Sequence, residues 1–494
     1  MYLLEKITKN QFRVGSLWKM IEQFSSKGIS LIFSIILARI LFPSDYGLIA
    51  LTVVFTNLSE ILIDGGFSTA LVRKKNIQDS DYSSVLIISI IISFIIYMVI
   101  FSISPTVSLY YGEEKLVLVL RVIGLVVFIQ SFSSVRTAYI NRTMQYKLLL
   151  KCNLAATIIS GILGIVFAFL GYGVWALVIQ RLLYQLIVTT LLFFSIKLKF
   201  RFEVDLKNLK EMFKFGSGVA LSSLINYISG SLYSIIIGKK YSIQDLGYFE
   251  KGSQLPTQIS LYTFGAMSNV LLPTLASHQE DLIKVKSIYK KVVKMTAYLI
   301  APMMVGLALI SRELVLIIFT EKWLPIVRIM QYQSLYYFAT PFMLINIQVF
   351  FALGYSKKRV KTEIIRSFML IGAIMIFSIW LNCTLNTLAL VLAIIAILSS
   401  LLTFFEVRTM IDYSIKEGLV DLSKPIFSAI IMGIVIYFTN SIVIQFFGIQ
   451  STILVLIIKI TIGVLLYLSL SILFKIKEFE EIIDITKFLL SRKD

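Results

Sequence analysis

The chain predicts an all-α integral membrane protein with fourteen transmembrane helices. Three observations carry this. Runs of about twenty apolar residues, long enough to cross a bilayer core, recur through its whole length. Hydrophobic residues make up 57% of the 494 and charged residues 15%, where a soluble protein carries about a quarter charged. The linkers between runs alternate between ones loaded with Lys and Arg and ones almost without them, and cytoplasmic loops of membrane proteins retain cations.

In order, the predicted spans are 17–41, 46–66, 84–104, 115–138, 149–170, 173–195 and 216–238, then 247–274, 292–318, 325–352, 364–382, 385–406, 425–446 and 452–474. Each is about twice the length of a membrane strand and lacks a strand's alternating polarity, so helices are expected. Cations follow every second span: at Arg73-Lys74-Lys75, Arg142/Lys147/Lys151, Lys197 to Lys214, Lys284 to Lys294, Lys357-Lys358-Arg359-Lys361, Arg408/Lys416/Lys424 and Lys475/Lys477. The intervening linkers, such as Gly171-Tyr172-Gly173 and Asn382-Cys383-Thr384, are poor in them. The outer side takes only Arg39, Lys115, Lys239, Lys240, Arg312, Lys322 and Arg328 of the 47 basic residues. Adding or dropping one span would invert every later loop and ruin the bias. Both termini are therefore expected in the cytoplasm.

The net charge of +19 reads as orientation and as attraction to anionic headgroups, not as nucleic-acid binding. The first sixteen residues are polar and basic, with no signal-peptide pattern, so the first span is expected to direct insertion. The longer linkers around 197–214 and 275–291 read as amphipathic connectors rather than extra domains. Cys152 and Cys383 lie in or beside spans in different halves, with no disulfide or metal spacing. The one histidine, His278, sits in an expected cytoplasmic loop, which leaves no His-based catalytic or metal centre.

The chain also repeats. Span 1 leads through Pro43-Ser44-Asp45-Tyr46-Gly47 into span 2, and span 7 leads through Ser242-Ile243-Gln244-Asp245-Leu246-Gly247 into span 8. Gly15-Ser16 and Gly216-Ser217 open the preceding spans at nearly the same offset. Six spans repeated as six keep the same orientation, and duplicated lobes that rock for alternating access are a transporter design. The expected domains are 1–205 (spans 1–6), 206–415 (spans 7–12) and 416–494, which holds two additional helices and a cytoplasmic tail.

Some of these residues carry a family resemblance. Leu37-Ala38-Arg39-Ile40-Leu41-Phe42-Pro43-Ser44-Asp45-Tyr46-Gly47, Asp64-Gly65-Gly66-Phe67-Ser68-Thr69-Ala70-Leu71-Val72, Leu246-Gly247-Tyr248-Phe249, Pro256, Leu272-Pro273 and Trp323 resemble bacterial polysaccharide repeat-unit flippases. These are Wzx-type, colanic-acid-exporter-like members of the multidrug/oligosaccharidyl-lipid/polysaccharide exporter superfamily. The resemblance runs from about residue 12 to residue 410. It implies two pseudo-symmetric six-helix lobes in a V around a central cavity, in the bacterial cytoplasmic membrane. It implies as substrate an undecaprenyl-diphosphate-linked oligosaccharide, moved to the outer leaflet for O-antigen, capsule or exopolysaccharide. Polysaccharide polymerase and chain-length machinery are the partners it suggests. The motif residues themselves read first as architecture: Gly47 and Gly247 for tight helix entry, Asp45 and Asp245 as helix caps.

A passage for such a lipid needs cations for phosphate, polar groups for sugar and an apolar groove for the tail. Charged groups within spans are costly, so those present are functional candidates. Lys27, ten residues into span 1, is too deep to reach the surface easily, and Gln23 lies one turn before it on the same face. Lys19 and Glu22 also fit a surface pair. Arg181 lies deep in span 6 beside Gln180, Tyr184 and Gln185. Arg121 in span 4 is nearer the outer boundary, where snorkelling competes with a cavity role. Lys251 follows Glu250 in span 8. Lys27, Arg181, Lys251 and Arg121 are thus the expected diphosphate ligands. Glu60 and Asp64, four apart in span 2, suit a coupling Na+ or H+, or plain interfacial solvation or pairing with Arg73-Lys74-Lys75. Gln23, Asn226 and Tyr227 suit sugar contacts, and the polar stripe of span 7 equally suits helix packing. Lys459 in span 14 lies outside the repeat and reads as a lipid or partner contact.

No cofactor and no enzymatic chemistry are expected. A membrane polymerase or ligase needs a large external loop with catalytic charges, and the external segments near 103–115 and 319–325 are short. An ion-coupled multidrug exporter of the same fold is the alternative. Its organic cations want an acidic cavity, whereas basic residues predominate here.

Overall fold

The computed structural model describes residues 9–74, 77–198, 206–447 and 451–491, apart from some side chains in those ranges, that of Asn226 among them. The described residues are almost entirely helical, without strands. The helices are α1 (Lys9–Ile40), α2 (Pro43–Asp64), α3 (Phe67–Arg73), α4 (Asp79–Tyr111), α5 (Lys115–Thr143), α6 (Tyr146–Phe169), α7 (Val174–Ser195) and α8 (Leu206–Lys240). They continue as α9 (Ile243–Ala276), α10 (Leu282–Ile318), α11 (Ile326–Ala352), α12 (Ser356–Ile374), α13 (Leu385–Met410), α14 (Ile415–Phe447), α15 (Thr452–Leu473) and α16 (Lys477–Ser491).

Twelve helices among the described residues are long and apolar enough to cross a membrane. The chain is a multi-pass membrane protein. The fourteen expected spans correspond to these twelve together with α8 and α9. α8 qualifies only as a pair, Asn208–Gly218 and Ser223–Lys240, bent by 42°. α9 is long; its first half carries Asp245, Glu250, Lys251, Gln254 and Gln258, and its second half, 259–276, is an uncharged, largely apolar stretch. The expected connectors at 197–214 and 275–291 largely join the helices that follow them, since α8 begins at Leu206 and α10 at Leu282. α10, with 37 residues, is about 55 Å long, so its lysine-rich start extends past an apolar core of about 30 Å.

Local chemistry sets the helix starts. Phe42 N–H donates to Asp45 Oδ2 (3.0 Å) with Pro43 in the first turn of α2. Gln78 N–H donates to Asp81 Oδ2 (2.9 Å) at α4, where Lys74 Nζ also reaches Asp81 (2.7 Å). Ser242 Oγ accepts from Asp245 N–H (2.9 Å) at α9. Each satisfies donors a helix N-terminus leaves open.

By packing, the chain divides at Gly247/Tyr248 into two compact units. The division falls later than residue 205, the expected lobe boundary, because α8 packs on α2, α3 and α4. In the first unit α1 packs on α6, α6 on α7, α5 on α4 and α7, and α2 on α5. Phe94, Ile95, Phe169, Leu170 and Phe194 are exposed, while Ser93, Ser104, Ser131 and Thr52 are buried. Apolar outside and polar inside is the arrangement a hydrocarbon solvent demands. The starts of α2 and α9 meet in a reciprocal close crossing. A Cβ on Gly47 would lie 1.7 Å from Ile243 O, and one on Gly247 would lie 1.9 Å from Pro43 O.

In the second unit α10 packs against α11, α14, α15 and α16, and α13 against α11 and α12. Tyr289 OH donates to Asn346 Oδ1 (2.7 Å), and Asn346 Nδ2 donates to Thr403 Oγ1 (2.9 Å), tying α10, α11 and α13 together. The helix pair beyond the repeat is fixed by a buried ion pair, Lys459 Nζ to Glu313 Oε1 (2.6 Å), and by Tyr467 OH donating to Tyr298 O (2.9 Å). Lys459 is thus an internal anchor between α15 and α10 and not the expected lipid or partner contact.

Candidate functional site

Along α1, polar residues recur every three or four positions: Lys19, Glu22/Gln23, Ser26/Lys27, Ser30 and Ser34. That spacing puts them on one helix face. The face lines a cavity of about 660 Å³ in the first unit, whose other walls come from α2, α5, α6 and α7. Lys27, Gln23, Glu60 and Arg181 are brought together there. Ser26 Oγ, on the same wall, is buried with no hydrogen-bond partner among the described residues.

Arg181 is held in place by Thr56 of α2, to whose Oγ1 its Nη2 donates (3.3 Å). Glu60 lines the same cavity as Gln130 and interacts electrostatically with Arg181. Lys19 and Glu22 do form an ion pair (3.0 Å) in which the carboxylate is the buried partner. Glu22 is only 6% exposed, and Asn153 Nδ2 of α6 donates to its Oε1 (2.8 Å). Lys27 is exposed along the cavity wall, with no ion pair within 4.0 Å among the described residues.

A second cavity of about 450 Å³ adjoins the first. The two share Glu60, Gln130, Asn153, Tyr184 and Gln185. Its long wall is one face of α5, with Gln130, Ser133/Ser134 and Thr137. Gln185 Nε2 donates to Thr189 Oγ1 (3.1 Å) and Ser133 Oγ (3.3 Å), fixing part of that wall. Asp64 lines this cavity, and its Oδ1 accepts from Ser68 N–H (3.1 Å), which caps α3.

Other expected site residues lie elsewhere. Arg121 turns to α4, donating from Nε to Ser104 Oγ (3.0 Å) with its guanidinium 4.0 Å from the Phe101 ring centre. Tyr227 OH donates to the α2 carbonyls of Val53 (3.2 Å) and Val54 (3.3 Å), a helix-packing bond. Asn226 falls on a side chain outside the described residues. Lys251 belongs to the second unit. It is 4% exposed, donates to Gln254 Oε1 (3.1 Å) and lies 5.8 Å from the Phe319 ring centre. Gln130 and Asn153 are not among the site residues expected from the sequence. Their signal was an amide within an apolar run, and for Gln130 a polar face at helical spacing.

The first cavity therefore sets three cations and two carboxylates among amides and hydroxyls, inside a helical unit with an apolar exterior. Residues 36–328 match the family model described as "Polysaccharide biosynthesis protein". The chain belongs to this family. Among similar members, the Teichuronic acid biosynthesis protein TuaB of Bacillus subtilis (strain 168) is 23% identical over 94% of this chain and 96% of its own length. The Succinoglycan biosynthesis transport protein ExoT of Rhizobium meliloti (strain 1021) is 21% identical over 62% of each chain. The inward closed structure of the Lipid II flippase MurJ superimposes with a TM-score of 0.75 at 19% identity, over 94% of this chain and 99% of that one. At that identity the likeness concerns the fold, and it agrees with the all-helical architecture expected from the spans.

Proposed function

We propose that this family member is a flippase for undecaprenyl-diphosphate-linked oligosaccharides, carrying them from the cytoplasmic to the outer leaflet for surface polysaccharide. One observation carries the reading: Lys27 and Arg181, with Lys19, line a large polar cavity within a unit that is apolar outside. Cations there would hold the diphosphate as point charges and hydrogen-bond donors. Amides and hydroxyls would take the sugar, and the apolar surroundings the polyprenyl tail. The names of TuaB, ExoT and MurJ point the same way. Transport would proceed by alternating access of the two repeated lobes in the bacterial cytoplasmic membrane, with both termini inside. No bond to the sugar is made or broken, and polymerase and chain-length machinery would act downstream.

Coupling to Na+ or H+ would fall to Glu60 more readily than to Asp64, one of whose oxygens caps α3. A multidrug exporter of the same fold is less well matched, since organic cations would meet a cavity in which cations outnumber carboxylates.

Genetic complementation tests the proposal. In a strain deleted for the gene, Lys27→Ala and Arg181→Ala should each abolish surface polymer at unchanged membrane level. Lipid-linked repeat units should then accumulate on the cytoplasmic side. Lys27→Arg should retain more polymer than Lys27→Ala, because it keeps the charge. Near-normal polymer from both alanine variants would reject the reading.

A further inference from the structure

The two adjoining cavities differ in charge. All three cations, Lys19, Lys27 and Arg181, line the larger. Among the described residues lining the smaller there is no Lys, Arg or His, while Glu60 and Asp64 both contribute to it. The rest of its polar wall is neutral: side-chain amides, the serine and threonine face of α5, and Tyr184.

From this division we infer that the sugar compartment is built for uncharged or amino-bearing residues and discriminates against acidic sugars such as hexuronic acids. The inference rests on the flippase reading above and deepens it. A carboxylate is an acceptor with several lone pairs, so Glu60 and Asp64 can accept from sugar hydroxyls or from an ammonium group, and the amides and hydroxyls both donate and accept. A uronate carboxylate placed among them would find no cation. It would also face two groups of its own sign in a site partly withdrawn from water, where like charges repel more strongly than in bulk. Arg181 lines the other compartment and offsets part of the Glu60 charge, so the repulsion rests chiefly on Asp64, which has no ion pair within 4.0 Å among the described residues. The diphosphate goes to the three cations, leaving the acidic wall to face the sugar.

The experiment uses the full-length protein in lipid nanodiscs and two polyprenyl-diphosphate oligosaccharides of equal length. One ends in a neutral hexose and the other in the matching hexuronic acid. The neutral lipid should bind about tenfold more tightly or better. Glu60→Gln, which is nearly isosteric, should narrow that ratio to within about threefold by removing one like charge. Thr137→Lys, which adds a cation to the α5 wall, should narrow or invert it by an independent route. Equal or tighter binding of the uronate lipid by the unaltered protein would overturn the inference while leaving the flippase reading in place. So would a ratio that neither substitution moves. If neither lipid binds, the flippase reading itself fails and the inference falls with it.

Discussion

At the scale of single residues, five cations within the spans stood out for one reason, the cost of a charge in hydrocarbon. That criterion could not separate them, because it knows depth but not which way a helix is turned. Lys27 and Arg181 turn to the polar cavity, Arg121 to Ser104 and Phe101, Lys251 to Gln254, and Lys459 to Glu313. The partner of Lys459 lies 146 residues away in sequence, beyond any local pattern. The same is true of Glu22, whose visible partner was Lys19 and whose second, Asn153, comes from another helix. Breaking the Lys459–Glu313 pair leaves a buried carboxylate uncompensated, which costs about 3–5 kcal/mol. Lys459→Ala should therefore lower the thermal midpoint of the purified protein markedly. Lys459→Met combined with Glu313→Leu should restore most of the loss, since replacing both buried charges by apolar groups is often neutral or better. Equal midpoints for Lys459→Ala and the unaltered protein would show that the pair does not anchor α15.

At the scale of elements, the apolar runs were legible because hydrocarbon leaves so few ways to satisfy a backbone. α8 is bent by 42° and α9 carries Asp245, Glu250 and Lys251 in its first half, and that polarity marks both as more than anchors. The cap at Asp45 and the need for glycine after each aspartate followed from the repeated Asp-x-Gly pattern, whereas at α9 the capping acceptor is Ser242 Oγ and Asp245 supplies the N–H. What the pattern could not say was that the two copies touch. Pro43–Gly47 and Ile243–Gly247 cross backbone to backbone, with no room for a side chain at either glycine. Gly47→Ala and Gly247→Ala should each destabilise the protein by about 1–3 kcal/mol or more, the range for overpacking a tight contact. Because one displaced helix start relieves both clashes, the double variant should cost less than the sum of the singles. Thermal midpoints of the three variants measure this, and full additivity would mean the glycines act independently.

For the whole molecule, cation placement gave the order of spans and an expected orientation, but not the packing that assigns α8 to the first unit or docks α14 and α15 on α10. Orientation depends on short loops beside the spans, each read by the insertion machinery, whereas packing depends on contacts between distant segments. The alternation predicts sidedness at every loop, so a few positions test it severely. With Cys152 and Cys383 replaced, Glu114→Cys and Tyr172→Cys, both at exposed positions, should react with a membrane-impermeant maleimide in intact cells. Gln279→Cys, exposed between α9 and α10, should react only after permeabilisation. The Tyr172 and Gln279 sites have α7, α8 and α9 between them. An odd number of crossings in that stretch is what the fourteen-span reading requires and what the polar α8 and α9 put to the test. Labelling of Gln279→Cys in intact cells would mean that α8 or α9 fails to cross, and every later loop would change sides.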